Sequence, residues 1–361
     1  MYKSQYSGTD RALHRLAFSS WGLQAALSDM EDSLFRSRLS QVEAERPVFI
    51  TALPRAGTTL LLELLADTGE FSTHTYRHMP FLLCPLLWEG FSRRFRKSGE
   101  LRERAHGDGV QVSEDSPEAF EEVIWRHYWK RYYQQDHIEP WGKVRHKAFE
   151  RFFQAHMRKI VAMGGDSSPG MQRRYLSKNN LNIARVRYLQ RALPGCSVIV
   201  LFRDPYEHAA SLLRQHLNFL EQHRADAFSR WYMEGIGHYD FGANLKPVDF
   251  GNWMQSRHAG DATTIEYWLC YWHACYAHLL AQAGDATYFY SFEAMCEDPD
   301  PALDSLAQRL DLAEPPRLLE QAGRISVPAR GGPEPGAIDA SLHRQVYDLW
   351  RELRQAASTP Q

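Results

Sequence analysis

The sequence predicts an α/β protein whose core is a doubly wound, mostly parallel sheet with helices on both faces. Three observations lead there. Short runs rich in β-branched and aromatic residues (Val48–Ala52, Ser197–Phe202, Thr287–Tyr290) are separated by long stretches with helical periodicity. These runs are apolar at nearly every position, as strands covered on both faces must be. The first run passes straight through a glycine-containing turn into an apolar helix, which makes a βα unit.

Taken in order, residues 1–45 read as a helical N-terminal arm. Helix formers run from about Thr9 to Ser40, with apolar positions at Leu13, Leu16, Ala17, Leu23, Ala26 and Leu27. Thr9 or Asp10 can cap this helix. Residues 46–361 then form one domain. After Pro47 and the Val48–Ala52 strand, the helix through Leu60–Leu65 is apolar on most faces, and Gly69 is placed to stop it. A second strand is expected from Glu70 to His78. Residues from about 91 to 165 are polar, charged and aromatic, and read as a helical insertion suited to act as a lid. Within it Ser116-Pro117-Glu118 has the signature of a helix start. Its aromatics Trp125, Tyr128, Trp129, Tyr132 and Tyr133 are either core or the wall of an acceptor pocket. A helix over Asn182–Ala192 leads into the Ser197–Phe202 strand, and Asp204-Pro205 opens another that runs to about His223. A later helix carries Trp268, Tyr271, Trp272, Cys275 and Tyr276, and Pro328–Gly336 is a loop.

Composition removes several function classes. The 42 basic residues are balanced by 44 acidic ones, so no overall positive field supports nucleic-acid or polybasic membrane binding. No stretch approaches the roughly 18 uncharged apolar residues of a membrane span. The N-terminus, charged throughout, lacks the apolar centre of a secretion signal. Cys84, Cys196, Cys270, Cys275 and Cys296 are odd in number and show neither CxxC nor zinc-like spacing. They suit reduced thiols in a cytoplasmic protein, and no metal site is expected.

Chemistry concentrates at the first βα turn. The opening N–H groups of a helix lack partners, and its dipole adds partial positive charge, so a strand–turn–helix unit binds anions. Here Gly57 permits close backbone approach, Thr58 and Thr59 offer hydroxyls, and Arg55 brings charge. The magnesium-nucleotide version, G-x-x-x-x-G-K-[ST], needs an earlier Gly and a Lys that this turn lacks. A nucleotide kinase is therefore only the alternative.

Pro54-Arg55-Ala56-Gly57-Thr58-Thr59 resembles the 5′-phosphosulfate loop of sulfotransferases that use 3′-phosphoadenosine-5′-phosphosulfate (PAPS), written P-[KR]-[SAG]-G-[TS]-[TS]. The likeness is to the bacterial and protein-tyrosine type. It implies a P-loop-like sulfotransferase fold and metal-independent transfer of a sulfuryl group from PAPS to a hydroxyl or amine. The product nucleotide would be 3′-phosphoadenosine-5′-phosphate (PAP), with Arg55, Ala56, Gly57, Thr58 and Thr59 on the donor. In that family a later strand ends in an Arg that shares the 3′-phosphate with a Ser eight residues on, here Arg203 and Ser211. The segment Ser177-Lys178-Asn179-Asn180 is similar to the one whose Lys approaches the sulfonate, which implicates Lys178. Arg330-Gly331 resembles a loop that closes over the adenosine phosphates. The family's Tyr-Glu-Asp-Leu stands here as Phe292-Glu293-Ala294-Met295. The resemblance covers about Arg46 to Met295.

The general base is where this sequence departs from its relatives. The cytosolic branch has a His two residues after the Lys, and Asn180 stands there instead. Other branches use a Glu at the second strand, yet Thr73–His78 holds no carboxylate. As a strand, that segment would put His74, Tyr76 and His78 on one face, so His74 or His78 is the expected base. Glu63 and His106 stand behind them, and loss of the base would leave a nucleotide-binding relative without catalysis. The acceptor, a small molecule or a peptide or carbohydrate group, is not specified.

Overall fold

The computed structural model describes residues 8–92, 102–103, 111–112, 116–164, 172–326 and 338–358. Its strands are β1 (Val48–Thr51), β2 (Phe71–Ser72), β3 (Arg102–Glu103), β4 (Gln111–Val112), β5 (Arg174–Lys178), β6 (Ser197–Phe202) and β7 (Thr287–Ser291). β3 and β4 pair antiparallel by themselves. The other five form one parallel sheet in the order β2-β5-β1-β6-β7. The expected parallel α/β architecture is therefore present, with β1 at its centre.

The arm comprises α1 (Gly8–Phe18), α2 (Trp21–Leu34) and α3 (Arg36–Leu39). Next come α4 (Thr58–Asp67), α5 (Pro85–Ser92), α6 (Glu122–Tyr128) and α7 (Lys147–Met163). Then follow α8 (Val186–Ala192), α9 (Pro205–Ala225), α10 (Ala227–Gly235) and α11 (Ile265–Gln282). The chain closes with α12 (Phe292–Glu297), α13 (Pro299–Leu310), α14 (Pro315–Leu319) and α15 (Ala340–Ser358).

Side-chain alternation along the strands divides the core in two. Phe49, Tyr175, Val198, Val200 and Phe202 face a large aromatic cluster that includes Trp125, Phe149, Phe153 and Tyr276. Val48, Ile50, Leu176, Ile199 and Leu201 face an aliphatic cluster built from the leucines of α4 and from Leu303, Leu306 and Leu310 of α13. Each fully buried leucine contributes on the order of 1.5–3 kcal/mol, so both layers hold the sheet firmly.

Four sequence expectations change here. The second strand stops at Ser72, and Tyr76–His78 is a 3₁₀ turn. β5 runs on to Lys178 past the partner of Ser72, but the chain leaves it there, and the Thr75 side chain caps the turn. His74 and His78 therefore do not share a strand face. The helix expected at Ser116 begins at Glu122, because Pro117 bridges Thr75 and the Glu118 N–H is spent on the His74 carbonyl at 2.9 Å. The described part of the expected lid is structural: α7 lays Phe149, Phe153, Met157 and Ile160 into the aromatic core. Trp125, Trp129 and Tyr132 are likewise buried in that core.

The arm inverts the usual amphipathic logic. α2 buries Gln24, Ser28 and Glu31 and leaves Leu23, Met30 and Leu34 exposed. The buried polar groups have partners. Lys159 from α7 donates to the Ser28 carbonyl at 2.7 Å and lies 3.2 Å from Glu31, and Glu31 also accepts from the Leu87 N–H at 2.7 Å.

Candidate functional site

Four strand ends and their following turns meet at the carboxyl edge of the sheet, where open α/β sheets place ligands. The turn after β1 is shaped by two left-handed residues, Arg55 (φ +70°) and Gly57 (φ +87°). Such alternation turns successive N–H groups into a concave anion site, which continues into the first turn of α4. A side chain at Gly57 is excluded twice over. Its φ is costly for an L-residue, and a Cβ there would lie 2.3 Å from the Phe292 ring. The turn is also pinned through its carbonyls: His208 Nε2 donates to Pro54 O (2.7 Å) and Arg203 Nη1 donates to Arg55 O (3.0 Å). Burial pushes the His208 imidazole down to about 3, so it stays neutral and keeps this donor role. Thr58 is buried and Thr59 half-buried at the helix start.

Arg203 sits just past the end of β6, buried, with its ring-stacked neighbour Phe292 5.7 Å from the guanidinium carbon. The ion partner is Glu293 of α12, 3.6 Å from Arg203 Nε, and not Asp204 or Glu207. Glu293 also accepts from the Asp204 N–H at 3.0 Å, while Asp204 caps α9 through the N–H groups of Tyr206 and Glu207. Among the described residues Arg203 Nε has no hydrogen-bond partner, although it is buried. Ser211 lies half-buried two turns along α9.

Lys178 closes β5, beside β1. The backbone that follows it is tied to β1 by Thr51, whose Oγ1 donates to the carbonyls of Asn179 (2.9 Å) and Asn180 (3.1 Å). From the other side, Asn179 Nδ2 donates to Glu122 Oε2 at 2.8 Å. Glu122 is in turn hydrogen-bonded to Tyr133 and paired with the fully buried Arg185. Arg185 lies between the rings of Trp125 and Trp141, 4.0 and 4.9 Å from their centroids. The aromatic segment thus supports the lysine from beneath.

The two expected bases have other surroundings. His74 is 2% exposed, its Nε2 lies 2.9 Å from His156 Nε2, and burial lowers it to about 4. His78 is buried too, and its Nδ1 accepts from the Thr75 N–H at 3.1 Å as part of the turn cap. Glu63 faces outward from α4 and pairs with Arg324 at 3.3 Å. His106, Arg330 and Gly331 lie outside the described residues.

Sequence reading passed over a pair that reaches the backbone after Lys178 through Asn180, namely His238 with Asp240. His238, in the segment after α10, has its Nε2 3.8 Å from Asp240 Oδ2, and both side chains are mostly buried. The same carboxylate oxygen accepts from Asn180 Nδ2 at 3.4 Å. Burial lowers the His238 imidazole, the Asp240 carboxylate opposes that, the Lys178 ammonium adds to the lowering, and Glu118 opposes it in turn. Asp240, Lys178 and Glu118 therefore act on one imidazole. The only sequence signal was the His-x-Asp spacing in a glycine-flanked stretch, which is common in loops.

A model of the sulfotransferase family matches residues 47–316, and the chain belongs to that family. Comparison with curated protein sequences gives no match. Among solved structures the fold is similar to that of sulfotransferase STF9 from Mycobacterium avium. The identity is 12% and the TM-score 0.50, with 89% of this chain and 80% of that chain covered. Sulfotransferase STF1 from Mycobacterium tuberculosis H37Rv aligns at 13% identity with a TM-score of 0.45, covering 89% and 81%. Among the described residues, no helix is long and apolar enough to cross a membrane.

Proposed function

We propose that the protein transfers a sulfuryl group from PAPS to a hydroxyl or amine acceptor. One observation carries this reading: the cation-bearing ends of β1, β5 and β6, three adjacent parallel strands, bring Arg55, Lys178 and Arg203 to one edge. The donor set fits a nucleotide with two separated phosphate groups. The turn at Ala56 and Gly57, with Thr58 and Thr59, suits the 5′-phosphate, and Arg203, whose buried Nε makes no hydrogen bond among the described residues but is ion-paired with Glu293, is suited to the 3′-phosphate together with Ser211 of α9. When bound, PAPS supplies an activated sulfonate whose leaving group is a phosphate.

The chain's own residues then have separable tasks. Arg55 and Lys178 stabilise negative charge that develops on the bridging oxygen and the sulfonate. Arg203 both anchors the turn and holds the distal phosphate, so nucleotide binding and loop geometry are coupled through one side chain. These three cations supply the charge compensation that a metal gives in phosphoryl transfer. The acceptor in this reading is a small molecule or a peptide or carbohydrate group, and the cytoplasm is the proposed compartment, in keeping with the free cysteines.

The test is ligand-induced stabilisation, since a ligand that binds only the folded state raises its melting temperature. PAP at a hundred times its Kd should stabilise by about 2.7 kcal/mol and should do so in millimolar EDTA. No shift with PAP, alongside a shift with ATP and magnesium, would replace this reading with that of a kinase.

A further inference from the structure

We propose that Glu293 competes with the nucleotide's 3′-phosphate for Arg203. It neutralises the guanidinium while the site is empty and limits how tightly the nucleotide is held once it is bound. The proposal rests on the sulfuryl-transfer reading above. It begins from a physical need, because an arginine cannot shed its proton and a buried one requires a counter-charge. The Arg203 side chain is only 9% exposed at the end of β6. Its neighbour in the chain, Asp204, is committed elsewhere, since Oδ1 accepts from the N–H groups of Tyr206 (2.9 Å) and Glu207 (3.1 Å). The counter-charge comes instead from α12, where Glu293 Oε1 lies 3.6 Å from Arg203 Nε.

This pair is loose. At 3.6 Å it is longer than a hydrogen bond, and the buried Nε has no hydrogen-bond partner among the described residues. The carboxylate is held by other groups. Oε1 accepts from the Asp204 N–H at 3.0 Å, and Oε2 accepts from Ser291 Oγ at 3.3 Å. The guanidinium is fixed independently as well. Its Nη1 donates to the Arg55 carbonyl at 3.0 Å, and the Phe292 ring lies 5.7 Å from its central carbon. A phosphate oxygen within hydrogen-bond distance of Nε would make the charge-assisted bond that Glu293 leaves unmade, with no movement of the arginine.

The carboxylate stays where it is when the phosphate arrives, because the Asp204 N–H and Ser291 hold it and not the arginine. Two anions then share one cation. Glu293 is 34% exposed, so water screens the repulsion without abolishing it, and the penalty on the nucleotide is on the order of 10-fold in affinity. Glu293 thus acts in opposite directions on the empty and the occupied protein. A residue that only positioned Arg203 would favour both.

That opposition is the test. Wild type and Glu293→Gln, which keeps an oxygen for the Asp204 N–H and removes the charge, are compared by melting temperature without ligand and by calorimetry with PAP and with adenosine-5′-phosphate. Glu293→Gln should melt lower when empty, bind PAP roughly 10-fold more tightly, and bind adenosine-5′-phosphate within about 2-fold of wild type. PAP bound equally or more weakly by the variant overturns the proposal and makes Glu293 a positioning residue for Arg203. Equal tightening of both ligands overturns it too, because the carboxylate would then act away from the 3′-phosphate. If Glu293→Gln does not fold, Arg203→Ala carries the test, since the carboxylate then meets the 3′-phosphate with no guanidinium between them. PAP should bind this variant more weakly than adenosine-5′-phosphate does, and PAP binding as tightly or more tightly overturns the proposal. Failure of PAP to bind even the wild type sinks the sulfuryl-transfer reading instead, and the two failures are therefore distinct.

Discussion

The turn after β1 and the segment from Gly237 to Asn244 are both held in shape, but by different means. The first is held in shape largely by its own backbone, through two left-handed residues, a helix start and two tethered carbonyls. The second is held by side chains from elsewhere, through His216 and His223 on its N–H groups and Phe219 against its imidazole. A backbone-built site tolerates little change at its glycine and much at its flanks. A side-chain-built site depends on residues that never touch substrate.

The largest expected effect concerns Glu122, which holds Asn179 beside Lys178. Glu122→Gln leaves the Arg185 charge buried without its carboxylate, so stability should fall by about 3–5 kcal/mol in denaturant unfolding. A loss below 1 kcal/mol would mean that Asn182, Tyr133 and the two indole rings satisfy the guanidinium without it. Gly57→Val should come next, with a loss of about 2–3 kcal/mol and of the PAP-induced melting shift. Adding Phe292→Ala should recover the part due to contact with the ring but not the part due to φ, and a double-mutant cycle separates them. Complete recovery would show that the backbone of this turn carries no strain.

Arg203→Ala should cost PAP about 1.5–3 kcal/mol of affinity and adenosine-5′-phosphate clearly less, measured by calorimetry. Equal losses would make Arg203 an anchor of the Arg55 carbonyl and nothing more. A further effect is seen only as a change of slope with pH. Burial lowers His216 and His223 to about 4, below their ordinary 6.5. A base depressed in this way contributes stability that is fully present above pH 6.5 and is lost as pH falls toward 4, because the unfolded chain takes up protons that the folded one refuses. Each such histidine adds about 1.4 kcal/mol per pH unit to the slope in that window. His216→Asn should remove one histidine's share from the stability–pH curve. An unchanged slope would detach this titration from the 237–244 segment.

The boundary between what was legible and what was not follows the same contrast. Contiguous features were readable. β1, β6, β7 and α9 lie where alternating apolar runs and the Asp204 cap put them, and the Pro54–Thr59 turn needed only local spacing. Arg203 was readable as the end of a strand, but its grip on the Arg55 carbonyl was not, since the two residues are 148 positions apart. Phe292 and Glu293 stood in a recognisable motif whose roles, closing over Gly57 and pairing with Arg203, appear only in three dimensions.

By itself, then, the sequence determined the parallel α/β class, the anion-binding turn and the order of the cations along the chain, because each depends on interactions within a few residues. Only the tertiary structure decided that the segment after β2 leaves the sheet at Ser72, that α2 turns its polar side inward to Lys159, and that Asp240 comes to meet Asn180. These depend on which distant groups desolvate and pair with one another. Burial in this way sets both the cost of a polar side chain and the availability of its lone pair, and local spacing does not reveal it.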